Sequence, residues 1–331
     1  MGEAKRQCAE PSISSHTGLL ALTPQEPTIG SARALSKRNS LIPDTCKYAI
    51  VTPVRDEEKF VEQTIRAVVN QTVKPVEWVI VDDGSTDATG QILDRYASQV
   101  PWIRVVHRNN RGFRKSGAGV VEAFYEGYKA VQSRDWDFIV KLDGDLTFTS
   151  DYFQKMFEQF EKAPSLGIGG GTIYNASNGT QTLEEGPRFH VRGATKIYRR
   201  ECWEAIQGLH VAPGWDTIDE VKANMLGWQT ETFRQLQILQ HRPTGKAEGW
   251  WRDRVKNGKA YYTAGYHPLF FAAKFLYRLA SRPYVIGSVA MCYGFLSGYV
   301  GGAVRINDPA LVRYLRREQM KRLLGRKTIW K

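Results

Sequence analysis

Two clusters of acids in this 331-residue chain have the types and spacing to do chemistry. One is Asp143-Gly144-Asp145, directly after the apolar run Phe138–Leu142. Two carboxylates around a glycine that lets the backbone turn can reach one point. Hard divalent cations such as Mg2+ or Mn2+ accept few protein carboxylates and complete their shell with substrate phosphate oxygens. A cation so held neutralises the charge that builds on a departing diphosphate. The same three residues also suit an ordinary polar turn. The other cluster is Asp82-Asp83-Gly84-Ser85-Thr86-Asp87. Here the acids end an apolar run, Gly84 supplies a tight turn, and Ser85 or Thr86 can cap a helix with Asp87 in its first turn. Capping does not need two acids before the glycine. A carboxylate at that place can accept the imide N–H of a uracil ring, or a base or ribose donor generally.

The elements that must position these acids are legible as hydrophobic patterns. Apolar runs at Tyr48–Val54, Trp78–Val81, Ile103–Val106 and Phe138–Leu142 read as buried strands. Between them, apolar residues recur at helical spacing, as in Phe60, Val61, Ile65, Val68 and Val69. Such alternation predicts an α/β fold, a mostly parallel sheet with helices on both faces. Ligands bind such sheets outside the carboxyl ends of the strands. Those ends carry Arg55-Asp56-Glu57, Asp82-Asp83 and Asp143-Asp145, so position and charge coincide. Further strands are expected at Gly167–Tyr174 and Ala194–Tyr198, and a helix from about Thr217 to Leu226. The basic loop Arg108, Arg111, Arg114 and Lys115 precedes a helix N-terminus. It reads either as a solvated loop or as a cradle near a diphosphate.

In their order and spacing, YAIVTPVRDEEKFVEQTI, VIVDDGSTDAT and FIVKLDGDLTF resemble the family 2 glycosyltransferases of the Rossmann-like GT-A fold. The resemblance covers residues 47–233. It implies inverting transfer of a sugar from a nucleoside-diphosphate sugar, most often UDP-linked, to a glycan or lipid-linked acceptor. By motif, Asp83 would contact the base, Pro53 and Glu57 would border the nucleotide, and Asp143 and Asp145 would serve ribose, metal and diphosphate. Inversion needs a carboxylate to take the acceptor proton. The family often shows Glu-Asp before a helix ending in Gly plus an aromatic. Counting back from Gly227-Trp228 puts Asp216 at the base position, with Trp215 where the preceding acid would be. That departure leaves Asp216 or Asp219 as the base; their spacing also suits an N-cap and a first-turn acid. The Gln-x-x-Arg-Trp motif of the family's processive synthases is absent, which points to transfer of a single sugar. A close variant would transfer the sugar to a polyprenyl phosphate.

The remaining segments frame this domain. Residues 1–44, rich in Ser, Pro, Ala and Thr, read as a disordered tail before a catalytic domain over 45–240. Residues 241–265 read as a mobile acceptor-side loop carrying His241, Arg242, Trp250 and Trp251. The paired tryptophans suit sugar stacking, a membrane interface or core packing. Residues 266–331 read as an apolar helical segment with a basic tail. Within it, Tyr284–Val304 has no charged side chain and is long enough to span a bilayer, to lie in one, or to form a helical core. The net charge is +12 and the pI about 9.5, which calls for an anionic partner. Much of the excess lies in residues 313–331, which favours the anionic cytoplasmic face of a membrane over nucleic acid. A nucleic-acid binder would interleave basic and aromatic residues on its folded domain. The cysteines Cys8, Cys46, Cys202 and Cys292 lie far apart, against both zinc and a disulfide scaffold. No signal peptide is visible.

Overall fold

The computed structural model describes residues 46–330, except 114, 116, 178–179, 243–248 and 280–284. The expected tail, Arg114 and Tyr284 therefore lie outside the described residues. Strand β1 (Tyr48–Val54), helix α1 (Val61–Val69), β2 (Glu77–Asp82), α2 (Thr89–Gln99), β3 (Ile103–His107), α3 (Ala118–Ala130) and β4 (Phe138–Leu142) follow one another in alternation. β1, β2 and β4 are mostly apolar because both of their faces are covered. Tyr48, Ile50, Trp78, Ile80 and Val140 pack on one side with Val61 and Ile65 of α1 and Leu93 of α2. Ala49, Val51, Val79, Val81 and Ile139 pack on the other with Val121 and Phe124 of α3. These strands pair in parallel in the order β3-β2-β1-β4, with Val54 opposite Asp82 and Val51 opposite Lys141, so their carboxyl ends form one rim.

The chain continues through β5 (Leu146–Phe148), α4 (Tyr152–Lys162), β6 (Leu166–Ser177), β7 (Thr180–Leu183), β8 (Thr195–Arg199), α5 (Arg200–Ile206), α6 (Trp215–Met225) and β9 (Gln229–Gln240). Among the described residues the nine strands form one sheet in the order β3-β2-β1-β4-β8-β6-β9-β5, with β7 on β6. β8 runs antiparallel to both β4 and β6, and β5 antiparallel to β9. The sheet is therefore mixed, correcting the mostly parallel sheet expected above. The physical reason is that a residue pattern reports burial, not direction: Thr195–Tyr198 is as buried as the parallel strands.

A buried ion cluster bolts α6 to β8. Lys196 Nζ donates to both carboxylate oxygens of Asp219 (2.9 and 3.0 Å) and pairs with Glu220 (2.8 Å). Tyr198 donates to Asp219 (2.5 Å), and Glu220 accepts from the Val191 amide (2.7 Å) and faces His190 (2.8 Å). Burial alone would favour the neutral amine, but the two carboxylates outweigh it and hold Lys196 charged.

Four helices complete the fold: α7 (Trp250–Thr263), α8 (Pro268–Leu279), α9 (Ile286–Val300) and α10 (Pro309–Leu323). Ile218 and Val221 of α6 share a third core with Tyr262, Phe271, Met291, Phe295 and Leu311. Residues 250–263 are thus helical, not the loop expected over 241–265. The helical period was hidden because α7 meets α9 through glycine. A Cβ on Gly258 would lie 2.0 Å from the Met291 carbonyl oxygen, and one on Gly294 would lie 2.0 Å from that of Val255. With 15 residues α9 is about 22 Å long, short of the roughly 30 Å hydrocarbon core of a bilayer. Among the described residues no helix is long and apolar enough to cross a membrane.

Two stability predictions follow from this packing. Lys196→Met strands two buried carboxylates and should lose about 3–5 kcal/mol in urea unfolding. Gly294→Val forces a side chain into backbone and should lose about 2–3 kcal/mol by the same measurement; an unchanged midpoint in either variant would refute the packing described.

Candidate active site

The rim acids are fixed by main-chain bonds that prolong the sheet. The Asp83 amide donates to the Val54 carbonyl (2.8 Å), and the Asp143 amide donates to that of Ala194 (2.8 Å). Gly84 adopts a φ of +75°, and a Cβ there would lie 2.5 Å from Asn110 Cα, so only glycine fits. Gly144 serves differently from the turn expected of it. It is not one of the positive-φ glycines; a Cβ would lie 2.5 Å from Val54 Cγ1, so its role is close approach to β1. Nor do Ser85 and Thr86 cap the helix after them; it is Asp87 that accepts from the Thr89 amide at the start of α2 (3.0 Å). Ser85 and Asp87 accept from the amides of Asp56 and Glu58, and the Thr86 amide donates to Asp56, lacing the β2 loop to the β1 loop.

A cavity of about 470 Å3 opens at this rim, a size that suits a small-molecule site. Pro53, Glu57 and Asp83 line it from β1 and β2, and Asp143 and Asp145 from the turn after β4. Asp216 faces them from the first turn of α6, with Lys115 and Arg242 also on the wall. Six of these eight residues come from one sheet rim or the loops leaving it. Asp216 is not the N-cap of α6: Gly214 holds that place with a φ of +81°.

Each acid has a distinct environment. Asp83 is gripped by Arg108 (2.5 Å) and Arg111, one to each carboxylate oxygen, which leaves a lone pair on each for a ligand donor. Glu57 pairs with Arg242 at 2.5 Å. Asp143 pairs with the buried Lys141, which also donates to the Gly193 carbonyl (2.5 Å). Asp145 is only 5% exposed; burial first, and then the charge on Asp143, push its carboxyl up to about 6. Gln240 donates to it at 3.3 Å. For Asp216, burial pushes the carboxyl up, but His190, Lys196 and Arg192 together hold it below the ordinary aspartate range. Among the described residues no ion pair occupies its carboxylate.

Asp143 and Asp145 fit a divalent cation that is completed by phosphate. Both line the same cavity, and their mutual repulsion is what a cation would relieve. Among the described residues no group of three or more His, Cys, Asp or Glu forms a self-sufficient metal site, so substrate oxygens would have to contribute.

Other expected site residues lie elsewhere. Asp219 does not line the cavity; it sits in the ion cluster beneath, where burial pushes its carboxyl up to about 6. His241 turns away to stack on Phe60, with ring centroids 5.8 Å apart, and to share a hydrogen bond with Thr147 (2.9 Å). Trp250 and Trp251 begin α7, and Trp251 is 42% exposed outside the cavity. The cavity is also lined by Asp253, Lys256 and Asn257 of α7, and by Arg192. The sequence marked Trp250 and Trp251 of this segment but not Asp253, Lys256 or Asn257, because the segment reads as a loop and not as the helix that sets which residues face the cavity.

Comparison with known proteins agrees with this fold. Residues 49–210 match the family described as glycosyl transferase family 2. The chain is 31% identical over 137 residues to the uncharacterized glycosyltransferase EpsJ of Bacillus subtilis (strain 168), covering 40% of this chain and 36% of the relative. It spans less than half the length of the first curated relatives it matches. Among solved structures it resembles a mannosyltransferase from Pyrobaculum calidifontis in complex with GDP-Man and Mn2+. The TM-score is 0.52 at 16% identity, covering 88% of this chain and 92% of the other. It also resembles S. aureus TarS 1–349 in complex with UDP-GlcNAc, with a TM-score of 0.51 at 13% identity, covering 85% and 92%. These structures share the fold, and the match of residues 49–210 to glycosyl transferase family 2 covers the strands whose ends carry the rim acids.

Proposed function

We propose that this protein transfers a single sugar, with inversion, from a nucleoside-diphosphate sugar to a hydroxyl of a glycan or lipid-linked acceptor. The observation that carries this reading is the meeting of Asp83, Asp143 and Asp145 in one cavity with an unpaired Asp216 across from them. Asp83, Pro53 and Glu57 take the nucleoside, UDP-linked by the family resemblance, and Asp83 uses the lone pairs its two arginines leave open. Asp143 and Asp145 hold Mn2+ or Mg2+, whose chemistry there is to neutralise charge on the departing diphosphate. Arg111 and Lys115 supply further positive charge on that wall.

Asp216 is the general base. Its carboxylate stays ionised beside His190, Lys196 and Arg192, ready to take the proton of the acceptor hydroxyl. As that oxygen bonds to the anomeric carbon, the bond to the diphosphate breaks on the opposite face. Asp219 is a positioning residue: through Lys196, which also donates to the Asp216 carbonyl (2.5 Å), it fixes the first turn of α6.

Purified protein with Mn2+ should slowly hydrolyse one nucleotide sugar from a panel, found as the one that most raises the melting temperature. Asp145→Asn should abolish that turnover; unchanged activity would remove the metal role. Asp216→Asn should keep nucleotide affinity, read by calorimetry, and lower turnover by about 10²–10⁴-fold. Equal loss of binding and turnover in that variant would make Asp216 structural only.

A further inference from the structure

The net charge of the chain is confined to its last quarter. Residues 249–331 carry 16 Lys and Arg against 3 Asp and Glu, while residues 1–248 carry 30 against 31. The same C-terminal segment holds an apolar surface without a partner. Helix α9 is apolar all round, yet only half of it is covered. Its small residues Ser288, Ala290, Gly294 and Gly298 face inward with Met291 and Phe295. Ile286, Val289, Tyr293, Leu296 and Val300 recur every three or four residues, form one outward stripe and are 45–91% exposed. On α8, Leu276 (63%) and Tyr277 (81%) are exposed as well. A contiguous face of this kind marks an interaction site.

Beside the C-terminal end of this stripe lies a second cavity of about 480 Å3, apart from the donor site. Lys259 of α7 and Arg305 line it, and neither has an acidic partner among the described residues. The Arg305 guanidinium rests on the rings of Tyr262 (4.4 Å) and Tyr299 (4.6 Å), and its Nε is buried without a hydrogen-bond partner. Val211 and Val304, also lining the cavity, are 47% and 85% exposed. Two uncompensated cations at the edge of an apolar face match a phosphate that lies beside acyl chains.

We propose that α8 and α9 form a docking surface for an anionic bilayer. The outer stripe of α9 lies in the boundary between headgroups and acyl chains, and Lys259 with Arg305 receives a lipid phosphate. The excess of basic residues in this C-terminal segment favours an anionic bilayer, since each cation near such a surface adds to binding. Its length, about 22 Å, excludes crossing but suits an interfacial helix. This inference is independent of the transferase reading, because its test measures binding and not turnover.

The experiment is co-sedimentation of the full chain with vesicles of phosphatidylcholine, and with vesicles that also contain phosphatidylglycerol. The protein should pellet with the second and not the first, and added salt should weaken the binding. Leu296→Glu with Val300→Glu, both exposed, should abolish it while the circular dichroism spectrum is kept. Lys259→Gln with Arg305→Gln should weaken it by about tenfold or more. Full-chain protein left in the supernatant with both vesicle types would overturn the proposal, as would variants that bind like the parent. So would sedimentation equilibrium showing that the glutamate pair abolishes self-association instead, which would make the face a contact between two copies.

Discussion

Lys141 and Lys196 stand directly opposite each other on β4 and β8, both buried. Like charges at facing positions of an antiparallel pair repel, so this arrangement would not survive without compensation. The compensation is what organises the site. Lys141 takes Asp143 and Lys196 takes Asp219 and Glu220, while the ring of Trp215 lies 5.4 Å from one ammonium and 5.5 Å from the other. The repulsion between the two lysines is therefore relieved by Asp143 at the rim and by Asp219 and Glu220 beneath it. Acids on the turn after β4 and on α6 are held near the cavity by cations that need them there.

This mutual dependence explains why the two ends of the site differ chemically. On the side of β1 and β2 the acids are already paired, Asp83 with two arginines and Glu57 with Arg242, and can offer only directed lone pairs. Asp216 is surrounded by positive charge but tied to none of it, which suits a group that must exchange a proton. Asp145 is buried between these extremes, next to another acid, and its raised carboxyl records an unfavourable proximity that a bound cation would reverse.

Much of this was legible from residues alone, for a definite reason. Strands covered on both faces read as mostly apolar runs, and the acids that follow them lie at the rim wherever the strands are parallel. Asp83, Asp143 and Asp145 could therefore be placed together without coordinates. Asp216 was found from the family pattern around Gly227-Trp228, and its surroundings were not, because Lys196, His190 and Arg192 reach it from distant elements. His241 misled because neighbours in the bend after β9 point different ways: Arg242 lines the cavity and His241 stacks on Phe60. β9 escaped notice because its alternating exposure is dominated by polar residues, and α7 because glycine takes the place of an apolar contact.

That crossing of α7 and α9 has a bearing on how the protein can vary. Gly258 and Gly294 already have the smallest side chains available, so enlargement at one position has no smaller partner at the other to offset it. The spacing between the helices is set by main-chain thickness alone. One helix presents Asp253, Lys256 and Asn257 to the cavity, and the other carries the exposed stripe. Residues on either outer side can drift during evolution without altering that spacing, so the cavity lining and the exposed stripe are free to diversify separately.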